Sequence, residues 1–307
     1  MPDVVTSRPQ AVAVVGALVI AFSSILVKAS AVSPSTAAIF RCAYAVPVLA
    51  LLAYLEDRRL GPRSSRERWL AAGAGVFFAA DLIFWHHAIE DVGAGLSTVL
   101  ANVQVALVPL VAWAVLAEHP GRRVLAVLPL VLGGVVLISG ALEHGAYGRS
   151  PAQGAAFGFA TGLTYAGFLL VLRAGSADLR RAAGPLCDAT AVAAVVAIAA
   201  GLVVGDADLV PSWPAHGYLV VLALSSQVVG WLLISFSLPR LPAAMTSLLL
   251  TIQPVGSVVL AAAIFGEDPT GLQLVGVVAV LGGLVLVTAR RPSRAVAQDA
   301  GTAPAGP

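Results

Sequence analysis

The sequence predicts an all-α integral membrane protein of ten transmembrane helices, arranged as two five-helix repeats of inverted topology. Three observations predict it: too little charge to coat a soluble globule, ten apolar runs of spanning length, and a gapless self-match between the two halves.

Of the 307 residues, 59% are hydrophobic and 11% charged, whereas a soluble domain carries about 25% charged residues. Mean hydropathy is +0.91. Much of the surface must therefore face lipid. A net charge of +2 without a basic stripe argues against nucleic acid as a partner. Cys42 and Cys187 lie inside apolar runs, outside any CxxC pair or histidine cluster, so neither a disulfide framework nor a metal site is expected. No cofactor is expected either.

A bilayer core of about 30 Å needs about 20 apolar residues of helix. The first run, 11–28, follows Arg8, and Ala29-Ser30-Ala31 resembles a cleavage site, but the run is long for a signal sequence and is expected to stay as a span. The next runs are 36–55, 69–88, 93–117 and 122–140; the second set is 153–172, 184–204, 215–237, 243–265 and 270–289. Linkers are short and rich in Gly, Pro and charge. The tail 290–307 is polar and expected to be a disordered cytoplasmic segment.

Basic residues set the orientation. With the N-terminus inside, the inner loops hold Arg8, Arg58, Arg59, Arg63, Arg66, Arg68, Arg122, Arg123, Arg173, Arg180, Arg181, Arg240, Arg290, Arg291 and Arg294. Lys28 and Arg149 fall outside, and Arg41 lies within a span. Both termini are thus expected in the cytoplasm, with the chain multi-pass in the plasma (inner) membrane of a bacterium.

A shift of 149 residues aligns 94–140 with 243–289 without a gap. Gln104 meets Gln253, Glu118 meets Glu267, Pro120 meets Pro269, and Gly133-Gly134 meets Gly282-Gly283. With five spans per copy, the second copy enters the membrane upside down. The repeats are read as 11–140 and 153–289. Inverted repeats mark secondary transporters with a midplane site between the halves.

Several motifs stand in the same order. They are Pro34-Ser35 before Arg41, Phe84-Trp85-His86-His87-Ala88-Ile89, Gly93-Ala94-Gly95-Leu96-Ser97, Pro109, Ala117-Glu118 and Gly133-Gly134, then Pro254, Gly266-Glu267 and Gly282-Gly283. In that order and duplication the chain resembles the EamA-type transporters of the drug/metabolite transporter (DMT) superfamily. Two departures stand out: Ala21-Phe22-Ser23-Ser24 replaces a Trp-Gly pair common in the family, and Ala117 stands where Gly is usual. The resemblance implies carriage of small metabolites, amino acids or drug-like compounds, with proton coupling or facilitated exchange.

Among individual residues, Asp81 is mid-span in the third helix. A charge at the bilayer centre costs about 3 kcal/mol on insertion scales, so it must face a partner or a wet cavity. It is read as a proton carrier, or else as an acid held permanently neutral. Trp85, four residues on, shares its face. Arg41 could pair with Asp81, bind an anionic solute, or snorkel toward headgroups. His86 and His87 point away from Asp81 and read as interfacial. Asn102, Gln104, Gln227 and Gln253 are uncharged polar groups inside spans, either lining a pathway or bridging helices. Trp231 shares the face of Gln227, and the Tyr165 hydroxyl could reach the same cavity. Gly154, Gly158 and Gly162 form a small-residue stripe read as helix packing, with dimerisation as the alternative. Glu118 with Pro120, and Glu267 with Pro269, are read as turn builders whose acid meets the dipole of the following helix.

The expected function is a secondary transporter, an exporter working by alternating access as a monomer or homodimer, with lipid, a small-molecule substrate and protons as partners. A channel is the alternative. An integral membrane enzyme is disfavoured because HExxH and GxSxG are absent and no acid–histidine cluster forms. No nucleotide-binding motif appears, so ATP is not the driver.

Overall fold

In the computed structural model, the structure describes residues 9–117, 119–176, 178, 180–237 and 243–288. Among these every regular element is helical. They are α1 (Pro9–Ser30), α2 (Pro34–Leu60), α3 (Ser65–Ala101), α4 (Gln104–Leu116), α5 (Arg122–Ile138), α6 (Pro151–Ala174) and α7 (Ala183–Val204). The stretches Ala215–Leu222, Ala223–Gly230 and Trp231–Ser237 run on as one rod, α8, whose middle stretch is π-helical. Then come α9 (Ala243–Phe265) and α10 (Gly271–Thr288). Six of these segments are long and apolar enough to cross a membrane, and stretches of α4, α9 and α10 form shorter apolar helices. Glu118, Arg8, Arg240 and the tail 290–307 lie outside the described residues.

Local chemistry sets the boundaries. Ser33 caps α2, its hydroxyl accepting from Thr36 N–H, and Pro34 occupies the first turn. Ser64 and Glu67 form a capping box at the start of α3. Prolines 47, 109, 129 and 254 sit inside helices, which neighbouring helices tolerate in a membrane bundle. Ala117 ends α4 at φ 56, and its repeat counterpart Gly266 follows α9 at φ 64.

At 37 residues, α3 would be about 55 Å long if straight, well beyond a bilayer core. Gly93 divides it, with φ 88 and ψ 169. Neighbours along α6 show what the break does. Gly154, Gly167 and Gly175 lie against Val92, Phe77 and Leu70, so the part before Gly93 runs antiparallel to α6. Gly158 and Gly162 lie against Leu100 and Gln104, so the part after it runs parallel. The chain therefore reverses at Gly93. The small-residue stripe of α6 is consumed by this packing inside the chain.

Packing between the halves is reciprocal. Gly134 of α5 abuts Val280 of α10, and Gly283 of α10 abuts Val131 of α5. Under the 149-residue shift, each contact is the image of the other. A second pair behaves likewise. The Glu56 carboxylate, near the end of α2, accepts from Ala183 N–H (2.9 Å) and Gly184 N–H (2.8 Å) at the start of α7. The Asp206 carboxylate, just past α7, accepts from Ser35 N–H (3.3 Å) at the start of α2. Each acid meets the positive end of the other helix, so α2 and α7 are antiparallel. Charged groups gather at the two ends of the bundle. Arg63–Asp188 and Arg181–Asp57, both 2.9 Å, close one end, and Lys28–Glu267 and Arg149–Glu90 lie at the other.

Candidate functional site

A cavity of about 110 Å³ lies inside the bundle. It draws Ser23 from α1, Arg41 from α2, Phe78, Asp81, Trp85 and Thr98 from α3, and Asn102 from the turn after it. Gln104 of α4, Thr161 and Tyr165 of α6, Trp231 of α8 and Gln253 of α9 add to the wall, with small and apolar side chains such as Ala101 between them. Two segments that the break at Gly93 turns back on each other thus supply one wall together.

Arg41 is 4% exposed. Its Nε donates to Gln227 Oε1 (3.1 Å) and its Nη1 to Ser23 Oγ (3.1 Å). The guanidinium carbon lies 5.6 Å from the Trp85 ring centroid, a cation–π geometry. Gln227 Nε2 donates in turn to Thr190 Oγ1 (3.1 Å), which orients the amide. Asp81 is buried within electrostatic range of Arg41, yet among the described residues no direct ion pair joins them. Neither snorkelling nor a closed salt bridge describes Arg41; it is an inward-facing cation with one flank left to the cavity.

Phe78, Trp85, Tyr165 and Trp231 form an aromatic wall. Phe78 stacks on Phe168 (4.7 Å between centroids), and Tyr165 leans on Trp231 (6.0 Å). Among the described residues, three buried polar atoms around the cavity, Trp85 Nε1, Gln104 Oε1 and Thr161 Oγ1, lack a hydrogen-bond partner. Buried polar groups are normally satisfied, so this ring has hydrogen-bonding capacity for a guest or water. Gln104 and Gln253 face the same cavity without bonding to each other, while Asn102 Nδ2 donates locally to Thr98 O (2.7 Å).

Of the sequence-predicted residues, Arg41, Asp81, Trp85, Asn102, Gln104, Tyr165, Trp231 and Gln253 all line this cavity. Gln227 does not; it backs Arg41 while Trp231 faces inward. Nearby, Ser225 Oγ donates to Val221 O (2.6 Å) and Ser226 Oγ to Val19 O (3.2 Å) in the π-helical stretch. Ser23, Phe78, Thr98 and Thr161 join the site without having been singled out. Ser23 stands in the segment that departs from the family's Trp-Gly pair.

His86 is enclosed by protein, 2% exposed, with Nδ1 3.0 Å from Pro34 O, because the start of α2 packs over it. His87 stacks on Phe157. Glu267 is not a cap for the helix that follows it. Thr270 fills that role, its Oγ1 accepting from Gln273 N–H (3.2 Å). The Glu267 carboxylate instead reaches Ala94 N–H (2.7 Å), Gly95 N–H (3.1 Å) and Lys28 Nζ (2.7 Å). It meets a helix dipole, but that of the segment beginning after Gly93. Pro120 and Pro269 sit in the connections ahead of α5 and α10.

The chain matches one protein family twice, over residues 9–140 and again over 153–289. The chain belongs to the EamA-like transporter family. It is thus a multi-pass membrane transporter of the drug/metabolite type rather than an enzyme, in contact with lipid and a small-molecule substrate. Among solved structures, this EamA-like transporter resembles one titled "Crystal structure of protein", at 16% identity and a TM-score of 0.59. The likeness covers 91% of this chain and 98% of that one, and it concerns the fold alone. No curated protein sequence matches the transporter.

Proposed function

We propose that this transporter is a secondary carrier exporting small solutes through the central cavity by alternating access, with Asp81 carrying the coupled proton. It has ten spans in two inverted five-helix repeats, and both termini face the cytoplasm of a bacterial cell. The observation that carries the reading is a buried carboxylate and a buried guanidinium facing one cavity without an ion pair between them. Such charges are costly in a membrane and mark solute or proton pathways. The reciprocal contacts of α5 with α10 and α2 with α7 support an inverted repeat, because a two-fold relation maps each onto itself. The match of the family to two successive stretches supports it too.

Comparative profiling tests this reading. Medium and cell contents are analysed for cells producing the wild type, Asp81→Asn, or neither. A solute enriched outside only with the wild type names the substrate class and supports export through an Asp81-dependent cycle. Identical profiles for wild type and Asp81→Asn, both unlike empty cells, would leave transport standing and remove Asp81 from it. Depletion from the medium would reverse the direction.

A further inference from the structure

The central cavity does not reach the Lys28 end of the bundle. A second, larger cavity of about 620 Å³ opens there, lined by Val27, Lys28, Ile89, Gly93, Tyr147 and Asp206 among others, and it shares no lining residue with the central one. Between them lies one apolar cluster, including Ile25, Val27, Ala37, Trp85, Ile89, Ala94 and Ala261, with Phe265 packed against it. Its members come from α1, α2, α3, α8 and α9. Val27 and Ile89 face the outer cavity and Trp85 the inner one, so this cluster forms a barrier between the two.

One carboxylate ties the barrier together. Glu267 is 4% exposed and takes three donors: Lys28 Nζ from the end of α1, and Ala94 and Gly95 N–H from the turn at Gly93. Phe265 lies under the ammonium, 4.9 Å from ring centroid to Nζ. Gly93 is needed twice over: it sits at φ 88, and a Cβ there would come 2.6 Å from the Glu267 carboxyl carbon. The contact therefore bridges the ends of α1 and α9 to the point where α3 reverses.

We propose that Glu267, Lys28 and the turn at Gly93 form a latch that closes the Lys28-end mouth of the central cavity and releases in each transport cycle. This rests on the alternating-access reading, but it is testable without a substrate. Opening the mouth separates α1 from the α3 reversal, so the ion pair and the two amide bonds break together. A carboxylate suits such a latch because the amides it leaves form a helix N-terminus that recaptures it.

The test is thiol accessibility. In a Cys42→Ala/Cys187→Ala background, Ala101→Cys places a reporter on the central cavity. A membrane-impermeant maleimide is applied to intact cells and to inverted vesicles. With the latch intact, labelling from the Lys28 side is slow; Lys28→Ala and Glu267→Gln raise its rate on the order of tenfold or more. The double swap Lys28→Glu/Glu267→Lys stays open, because an ammonium at 267 cannot accept from Ala94 and Gly95, whereas a simple ion pair would be restored. Unchanged labelling in both single variants, at wild-type yield and melting behaviour, overturns the latch, as does full-rate labelling in the parent. If the single variants do not fold, Glu267→Asp serves: its carboxylate falls one methylene short and an intermediate rate is expected, with an unchanged rate counting against the latch. Faster labelling in the variants while the wild type moves no solute would keep the latch and remove the carrier cycle.

Discussion

Arg41 is held from behind by Gln227, whose Oε1 takes the guanidinium Nε at 3.1 Å while its Nε2 is anchored on Thr190. This relay from α7 through α8 to α2 decides which flank of the guanidinium faces the cavity. Gln227→Leu keeps the volume and removes the acceptor. A buried donor on a charged group then goes unsatisfied, at a cost of about 2 kcal/mol. The expected result is a lower melting midpoint in detergent and a raised KM for the transported solute. Gln227→Glu, which still accepts from Arg41, is expected to keep the KM closer to wild type. An unaltered midpoint in Gln227→Leu would show that Arg41 finds another acceptor.

Asp81→Asn removes the titrating proton and retains the shape. Transport by the wild type is expected to vary with external pH, and transport by Asp81→Asn to be flat across the same range at equal expression. The check is solute flux in proteoliposomes with an imposed pH gradient. A pH profile of unchanged shape in Asp81→Asn would assign the dependence to another group.

Much of this was legible in the sequence, for physical reasons. Apolar runs must match the bilayer, so the membrane class and the long apolar helices show in composition alone. Polar groups inside a span must turn inward, so Asp81, Arg41, Gln104 and Gln253 stood out before the fold was known, although a pathway and a helix bridge read alike for the two glutamines and snorkelling stayed open for Arg41. Partners distant in sequence were not legible. Nothing near Glu267 announces Lys28, 239 residues away, and the Glu-x-Pro pattern reads equally well as a local turn. The packing of α2 over His86 was not legible either, because helical angles give direction relative to Asp81 but not the element packed on the opposite side. Gln227 and Trp231 were assigned one role from their spacing, although only Trp231 reaches the cavity.

Ala117 occupies left-handed backbone at φ 56, where its counterpart in the other repeat is Gly266 at φ 64. A Cβ in that conformation is strained by about 1 kcal/mol. Ala117→Gly is therefore expected to raise the melting midpoint slightly, and Gly266→Ala, with open space around it, to lower it by a similar amount. Opposite shifts from the two substitutions in a thermal-unfolding assay would confirm that both helices end in the same way.

The paired glycines of α5 and α10 give the sharpest test of the reciprocal interface. Only the second glycine of each pair is packed. A Cβ at Gly134 would meet Val280 Cγ2 and Gly276 O, both at 2.8 Å, and one at Gly283 would press on Val131, whereas Gly133 and Gly282 face open space. Gly134→Ala and Gly283→Ala are expected to destabilise by about 1–3 kcal/mol through overpacking. Gly133→Ala and Gly282→Ala are expected to stabilise by about 0.5–1 kcal/mol, since Gly is a poor helix former beside Ala. Relief should also be crossed. Val280→Ala should rescue Gly134→Ala more than Gly283→Ala, and Val131→Ala should do the reverse, because residues in contact couple and distant ones add. Equal rescue of both glycine variants by either valine change would mean that α5 and α10 relax as a unit, without the residue-by-residue two-fold contact that the inverted repeat requires.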